Sequence, residues 1–135
     1  METPRALMPS SFVIDTNILI AHLSGEEVVV QQLAEWKRQG CILFVSSIAE
    51  CEVLSYQKLS TADEVLIENF LSDNFLPIPF DMLRARRAAA LRRIVPSLHL
   101  PDAAIAALAL ETHSGLVTRN SKDFKKIPGI ILTTL

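Results

Sequence analysis

Short apolar runs alternate along the chain with longer stretches in which apolar and polar positions mix at helical spacing. FVI, ahead of Asp15, reads as a short buried strand, and TNILIAHLSG as a short helix with Gly25 at its end. EEVVVQQLAEWKRQG opens with acids, ends with bases and closes on Gly40, which suits the helix macrodipole at both ends. CILFV reads as a second strand. SSIAECEVLSYQKL reads as a helix, and Ser60 caps the next one, TADEVLIENFLSDN. FLPIPF is extended and marked by prolines, which predicts an edge strand. DMLRARRAAALRRIV is a helix that stops before Pro96. Pro101 stands near the start of PDAAIAALALETHSG, where proline is tolerated, and Gly115 is expected to close that helix. LVT and IIL are final short strands. This alternation predicts a three-layer α/β/α sandwich with a short-stranded, mainly parallel central sheet. In such sheets ligands gather beyond the carboxyl ends of the strands. Asp15 falls there, just after its strand, and Asp123 follows LVT by a few residues.

With 135 residues the chain is expected to be one domain over 1–135, large enough to bury a real core. Half of it is hydrophobic, which argues against disorder. Thirteen basic and 15 acidic residues give a formal charge of −2, which excludes a strongly basic nucleic-acid coat protein but leaves room for local basic patches. Cys41 and Cys51 form neither a C-x-x-C motif nor a zinc spacing, and are expected to be buried thiols of a reduced compartment. METPRALMPSSF has no apolar stretch of signal length, and AAIAALAL falls well short of the ~18 apolar residues of a membrane span. The expectation is a cytoplasmic protein with no membrane partner.

Two further acids lie on helices, where periodicity predicts their direction. On the helix from Ile48, at about 100° per residue, Glu52 falls within the arc of Ile48, Tyr56 and Leu59, whereas Glu50 lies about 200° away and faces water. Asp102 is flanked by the directions of Ile105, Ala106 and Ala109 and stands in a first turn, where the helix dipole favours an anion. His113 shares that face but is roughly 16 Å further along the axis, too far to join the same site. His22 and His99 receive no role. Asp15, Glu52, Asp102 and Asp123 thus form a candidate acidic site. Taken singly, Asp15 can be a helix cap, Asp102 a helix-start acid and Asp123 a turn residue. Glu52 has no capping role, and crowded carboxylates repel unless a cation joins them. Oxygen ligands without histidine or cysteine suit a hard ion such as Mg²⁺ or Mn²⁺.

With these residues in hand, the sequence resembles the PIN-domain ribonucleases, in particular VapC-type toxins of type II toxin–antitoxin pairs. The family opens on a strand and D-T-N, here Asp15, Thr16 and Asn17. A hydroxyl-rich stretch and a helical E-[LV] follow, here VSSIAECEVLS with Glu52. D-A-x-I-A-A is matched by DAAIAALAL with Asp102. L-V-T-x-[DN]-x-x-D-F is matched by LVTRNSKDF with Thr118, Asn120 and Asp123. The four pieces fall in the family's order, and the resemblance covers nearly the whole chain. The resemblance implies a PIN-like fold and metal-dependent hydrolysis of RNA phosphodiester bonds, with one or two Mg²⁺ or Mn²⁺ ions activating the attacking water. It implies Asp15 and Asp102 as main ligands, with Glu52 and Asp123 completing the shell directly or through water. Thr16, Asn17, Thr118 and Asn120 would orient waters or carboxylates around them. Many members carry an acid where this chain has Asn120, which weakens the case for a second ion. A homodimer and a small antitoxin, whose C-terminal segment occupies the pocket, are the implied partners. Trp36 or the Val28–Val30 patch is available for chain pairing, although both suit plain core.

Three other readings compete. Aspartate-based phosphotransfer of the haloacid-dehalogenase kind wants a second aspartate where Asn17 stands. A catalytically silent α/β interaction module would be expected to have lost an inward acid, and none is missing. A housekeeping PIN-domain RNA-processing nuclease is the nearest alternative, and the short chain without an accessory domain favours the toxin. Arg86 and Arg93, seven apart on one helical strip, are candidate RNA contacts or an ordinary solvated face.

Overall fold

Four consecutive buried residues make β1 (Ser11–Ile14) the central strand of a five-stranded sheet. The computed structural model describes residues 8–135, so most of the stretch read as leader-free lies outside the described residues. After β1 come α1 (Thr16–Leu23), α2 (Glu27–Arg38), β2 (Ile42–Ser46), α3 (Ser47–Leu54) and α4 (Thr61–Asn74). The remainder is β3 (Leu76–Ile78), α5 (Met82–Ile94), α6 (Leu100–Glu111), β4 (Gly115–Val117), α7 (Ser121–Phe124) and β5 (Leu132–Thr133). The sheet order is β3-β2-β1-β4-β5, every pair is parallel, and Val13 sits between Phe44 and Leu116 in register. Helices flank this sheet as the alternation predicts. The proline-marked strand β3 is indeed an edge.

The core lies between β1, β2 and β4 and the helices packed on them. In α6 every residue from Ala103 to Ala109 is buried, and the helix packs against α5, α3 and three strands. Its alanines permit that close approach from several sides, because a short side chain keeps the helix axis near its neighbours. The capping chemistry also follows the sequence. Ser60 accepts the Asp63 amide at 3.1 Å to start α4, and Gly25 and Gly40 take left-handed φ values of 77° and 83° beyond α1 and α2. Among the described residues no helix is long and apolar enough to cross a membrane.

Several expectations are corrected. The helix after β2 ends at Leu54, where the Ser55 hydroxyl donates back to the Cys51 carbonyl, so Tyr56 and Leu59 lie beyond it. Gly115 does not close α6. That helix ends at Glu111 and is capped by Thr112, with His113 in the left-handed conformation (φ 53°), and Gly115 begins β4. A Cβ at Gly115 would lie 3.0 Å from the Phe12 ring, tighter than ordinary contact, so the glycine lets the ring pack against the strand without shifting. The thiols are not both buried: Cys41 is half-buried and Cys51 exposed, because α3 buries Ala49 and Val53 instead. Trp36 stacks on Phe12 with centroids 4.0 Å apart, and Val29 is core while Val28 faces solvent.

Candidate functional site

The sheet order reverses between β1 and β4: the chain proceeds from β1 to β2 and β3 on one side, then returns to β4 and β5 on the other. A crevice opens at the carboxyl end of such a switch point. Asp15 follows β1 and Thr118 follows β4, so both stand at its mouth, and the Asp15 amide donates to the Val117 carbonyl across it at 3.0 Å.

Asp15 is 5% exposed and caps α1. Its Oδ1 accepts the Thr16 amide at 2.8 Å, and its Oδ2 accepts the Thr118 hydroxyl at 2.7 Å and the Asn17 amide group at 3.3 Å. Burial pushes this carboxyl above the ordinary aspartate value, the Thr118 and Thr16 hydrogen bonds oppose the rise, and the charge of Glu52 adds to it. Thr118, fully buried, also accepts the Asn120 amide at 3.0 Å, and Asn17 Oδ1 accepts the Arg119 amide at 3.3 Å. Asn17, Thr118 and the Asn120 backbone therefore fix the direction of Asp15, whereas the Asn120 side chain is at the surface.

Glu52 comes from α3 and is exposed, not inward as its helical phase predicts. Of the three residues that define that phase, Tyr56 and Leu59 lie beyond the helix and only Ile48 is on it. Its Oε1 nonetheless accepts the Thr16 hydroxyl at 2.7 Å, so it forms the open rim of the same crevice. Glu50 is half-buried rather than water-facing. Asp102 is half-buried in the first turn of α6. Its carboxyl is pushed up to about 6, first by burial and then by the charges of Asp15, Asp123 and Glu52, with His99 opposing. Asp123 lies on the short helix α7 rather than on a loop, held beside the fully buried Phe124. The four predicted acids thus act on one another electrostatically at one end of the sheet. Arg86 and Arg93 stand exposed on α5, and Arg86 Nη2 lies 3.4 Å from the Met82 sulfur.

Among the described residues, no three carboxylate, histidine or cysteine groups are already drawn together at the spacing of an ion's shell. Asp15 is turned to its internal donors and Glu52 to Thr16. The donor set is still all-oxygen and anionic, the chemistry of a hard divalent cation, and the like-charge pressure on Asp102 is what such a cation relieves. The fit is chemical, and convergence on an ion requires side-chain rotation.

Sequence reasoning passed over Arg119. Its guanidinium pairs with Glu26 and donates to the Leu135 carbonyl at 3.0 Å, tying the loop after β4 to the turn between α1 and α2. Its position next to Thr118 was the available signal, but an exposed arginine has no periodicity to reveal it.

A family model described as PIN domain matches residues 12–130. A toxin–antitoxin complex from Klebsiella pneumoniae contains a chain 38% identical to this one, with a TM-score of 0.73, over 88% of this chain and 94% of that one. VapBC2 from Rickettsia felis, bound to a DNA fragment from its promoter, matches at 22% identity and TM-score 0.78 over 93% of this chain and 98% of that one. DNA-bound VapBC from Salmonella typhimurium matches at 23% and 0.77 over 92% and 97%. At these two lower identities the likeness speaks for the fold. No curated protein matches the chain. The family match takes in β2, β3, β4, nearly all of β1 and the segments that carry all four acids, and the chain belongs to the PIN-domain family.

Proposed function

We propose that this chain is a Mg²⁺- or Mn²⁺-dependent endoribonuclease and the toxin of a VapBC-type pair, held in check by a cognate antitoxin. The observation that supports the nuclease reading is that Asp102 feels the charges of Asp15, Asp123 and Glu52, acids from three other segments around the switch point of the sheet. The toxin reading is supported by the 38% identical chain, which belongs to a toxin–antitoxin complex.

In this reading Asp15 and Asp102 are the principal ligands of one or two ions, and Glu52 and Asp123 complete the shell. When bound, the ion supplies Lewis acidity toward a phosphodiester and lowers the pKa of water. Thr118 and Asn17 hold Asp15 in one orientation, and the Thr16 hydroxyl holds Glu52 at the rim. Antiparallel packing of α5 on α6 brings Arg84 to Glu111 at one end and Arg92 to the Leu98 carbonyl at the other. Arg93 therefore stands at the same end as Asp102, and Arg86 roughly 10 Å further along α5. Both are available to RNA phosphates.

The test is cleavage of a labelled single-stranded RNA in Mn²⁺, with circular dichroism to check folding. Asp102→Asn is expected to abolish cleavage while the protein stays folded. Undiminished cleavage by that variant overturns the metal-site reading.

A further inference from the structure

Beside the acids, α1, α3 and the segment leading to α4 enclose a groove of about 460 Å³, within the ~300–1,000 Å³ range of small-molecule sites. Glu52 belongs to its wall, so the groove opens onto the acidic crevice. Ile20, Leu23 and Leu59 line it, together with Tyr56, which is 66% exposed. No lysine or arginine is among the lining residues. Elsewhere in the fold several aromatic rings pack on one another: Phe12 on Trp36, and Phe70 against His22 and Phe75. Tyr56, freed by the early end of α3, presents its ring outward.

We infer that this groove takes an unpaired nucleobase of the RNA, stacked on Tyr56, next to the phosphate that is cut. The inference rests on the nuclease reading above and adds a base-binding subsite to it. Three features select this occupant. The groove shares Glu52 with the acids, so a nucleotide attached to a phosphate held there has its base beside the groove. Its lining is mostly apolar and has no cation to hold a phosphate, which suits the uncharged part of a nucleotide. An exposed ring with aliphatic flanks is the platform on which bases of single strands stack, with little regard to sequence, because every base has a π-face. Ser24, at the rim, adds a hydroxyl for a base edge.

The experiment uses the full chain, Mn²⁺ and a single-stranded RNA with one mapped cut. A companion set of RNAs has one nucleotide at a time, within a few positions of the cut, replaced by an abasic unit. For the wild type, one abasic position is expected to slow cleavage by about 5- to 150-fold, the range of one lost base stack. Tyr56→Ala is expected to slow the parent RNA by the same factor and to become indifferent to that abasic position. Tyr56→Phe, which keeps the ring, is expected to restore sensitivity to it. A Tyr56→Ala protein that cuts the parent RNA at the wild-type rate overturns the proposal. So does one that slows the parent and every abasic RNA equally, since Tyr56 then supports structure only. If Tyr56→Ala cuts normally but escapes an inhibiting protein partner, the groove is a protein-docking surface and the base subsite is wrong. A wild type that cuts no RNA overturns the nuclease reading itself, and the inference with it.

Discussion

Glu50 and Glu52 stand two residues apart on α3 and differ in what they touch. Glu52 holds the Thr16 hydroxyl and lends its charge to the rise of Asp15 and Asp102; Glu50 contributes to neither. Two residues turn about 200° on a helix, so the two carboxylates cannot serve one pocket. Glu52→Gln retains an oxygen that accepts from Thr16 but removes the negative charge. Even groups that act on an ion through an intermediary cost about 10–100-fold when lost, so Mn²⁺ affinity and cleavage should both fall at least about tenfold. Glu50→Gln should leave both close to the wild-type values, because Glu50 adds no charge to the rise of Asp15 or Asp102. Titration calorimetry with Mn²⁺ and cleavage of one labelled RNA, on both variants, make the comparison. A silent Glu52→Gln beside a damaging Glu50→Gln would reverse the assignment.

At the scale of elements, α7 shows how little structure is needed to place an acid. It has four residues, and its anchor is Phe124, fully buried in the core, which fixes Asp123 beside it. Phe124→Ala should cost about 3–5 kcal/mol, the usual range for emptying a buried phenylalanine site. Urea denaturation read by circular dichroism checks this; a loss below ~1 kcal/mol would mean that α7 is not held by its anchor. So short a helix cannot show a period in sequence, which is why Asp123 reads as a loop residue. Helix α6 is the opposite case: an almost unbroken apolar run from Ala103 to Ala109 makes both the helix and the inward approach of Asp102 legible. The end of α3 is hidden because it depends on one hydroxyl turning back to the Cys51 carbonyl, and every residue through Leu59 tolerates helix. Gly115 misleads for a related reason. The sequence offers a glycine at a helix end, but that glycine answers to the Phe12 ring, a contact made across the sheet.

Across the whole molecule, sheet order turns four distant acids into one charged neighbourhood. Local patterns predict the strands and helices but carry no record of the reversal between β1 and β4; the D-T-N and L-V-T motifs supply it only through family resemblance. That neighbourhood has a consequence for stability. The Asp102 carboxyl rises from 3.8 to about 6 in the folded chain, and that of Asp15 also rises. Between those values the folded state holds protons that the unfolded state has released, so stability from this source falls as pH increases. It is fully present below ~pH 4 and is lost as pH rises through about 6. Glu26, lowered by Arg119, works in the opposite sense and loses its contribution on acidification. Comparing the wild type with Asp102→Asn cancels background such as Glu26, because the variant removes the Asp102 titration and its coupling to the neighbouring acids. In EDTA the two should be close in stability near pH 4, and the variant should become progressively the more stable toward pH 7. Adding Mn²⁺ at pH 7 should then stabilise the wild type and not the variant, since a ligand stabilises only the state that binds it. Thermal denaturation across this pH range measures both effects. A stability difference that stays flat from pH 4 to 7 would show that Asp102 does not feel the charges of its neighbours, and the acidic site would lose its electrostatic basis.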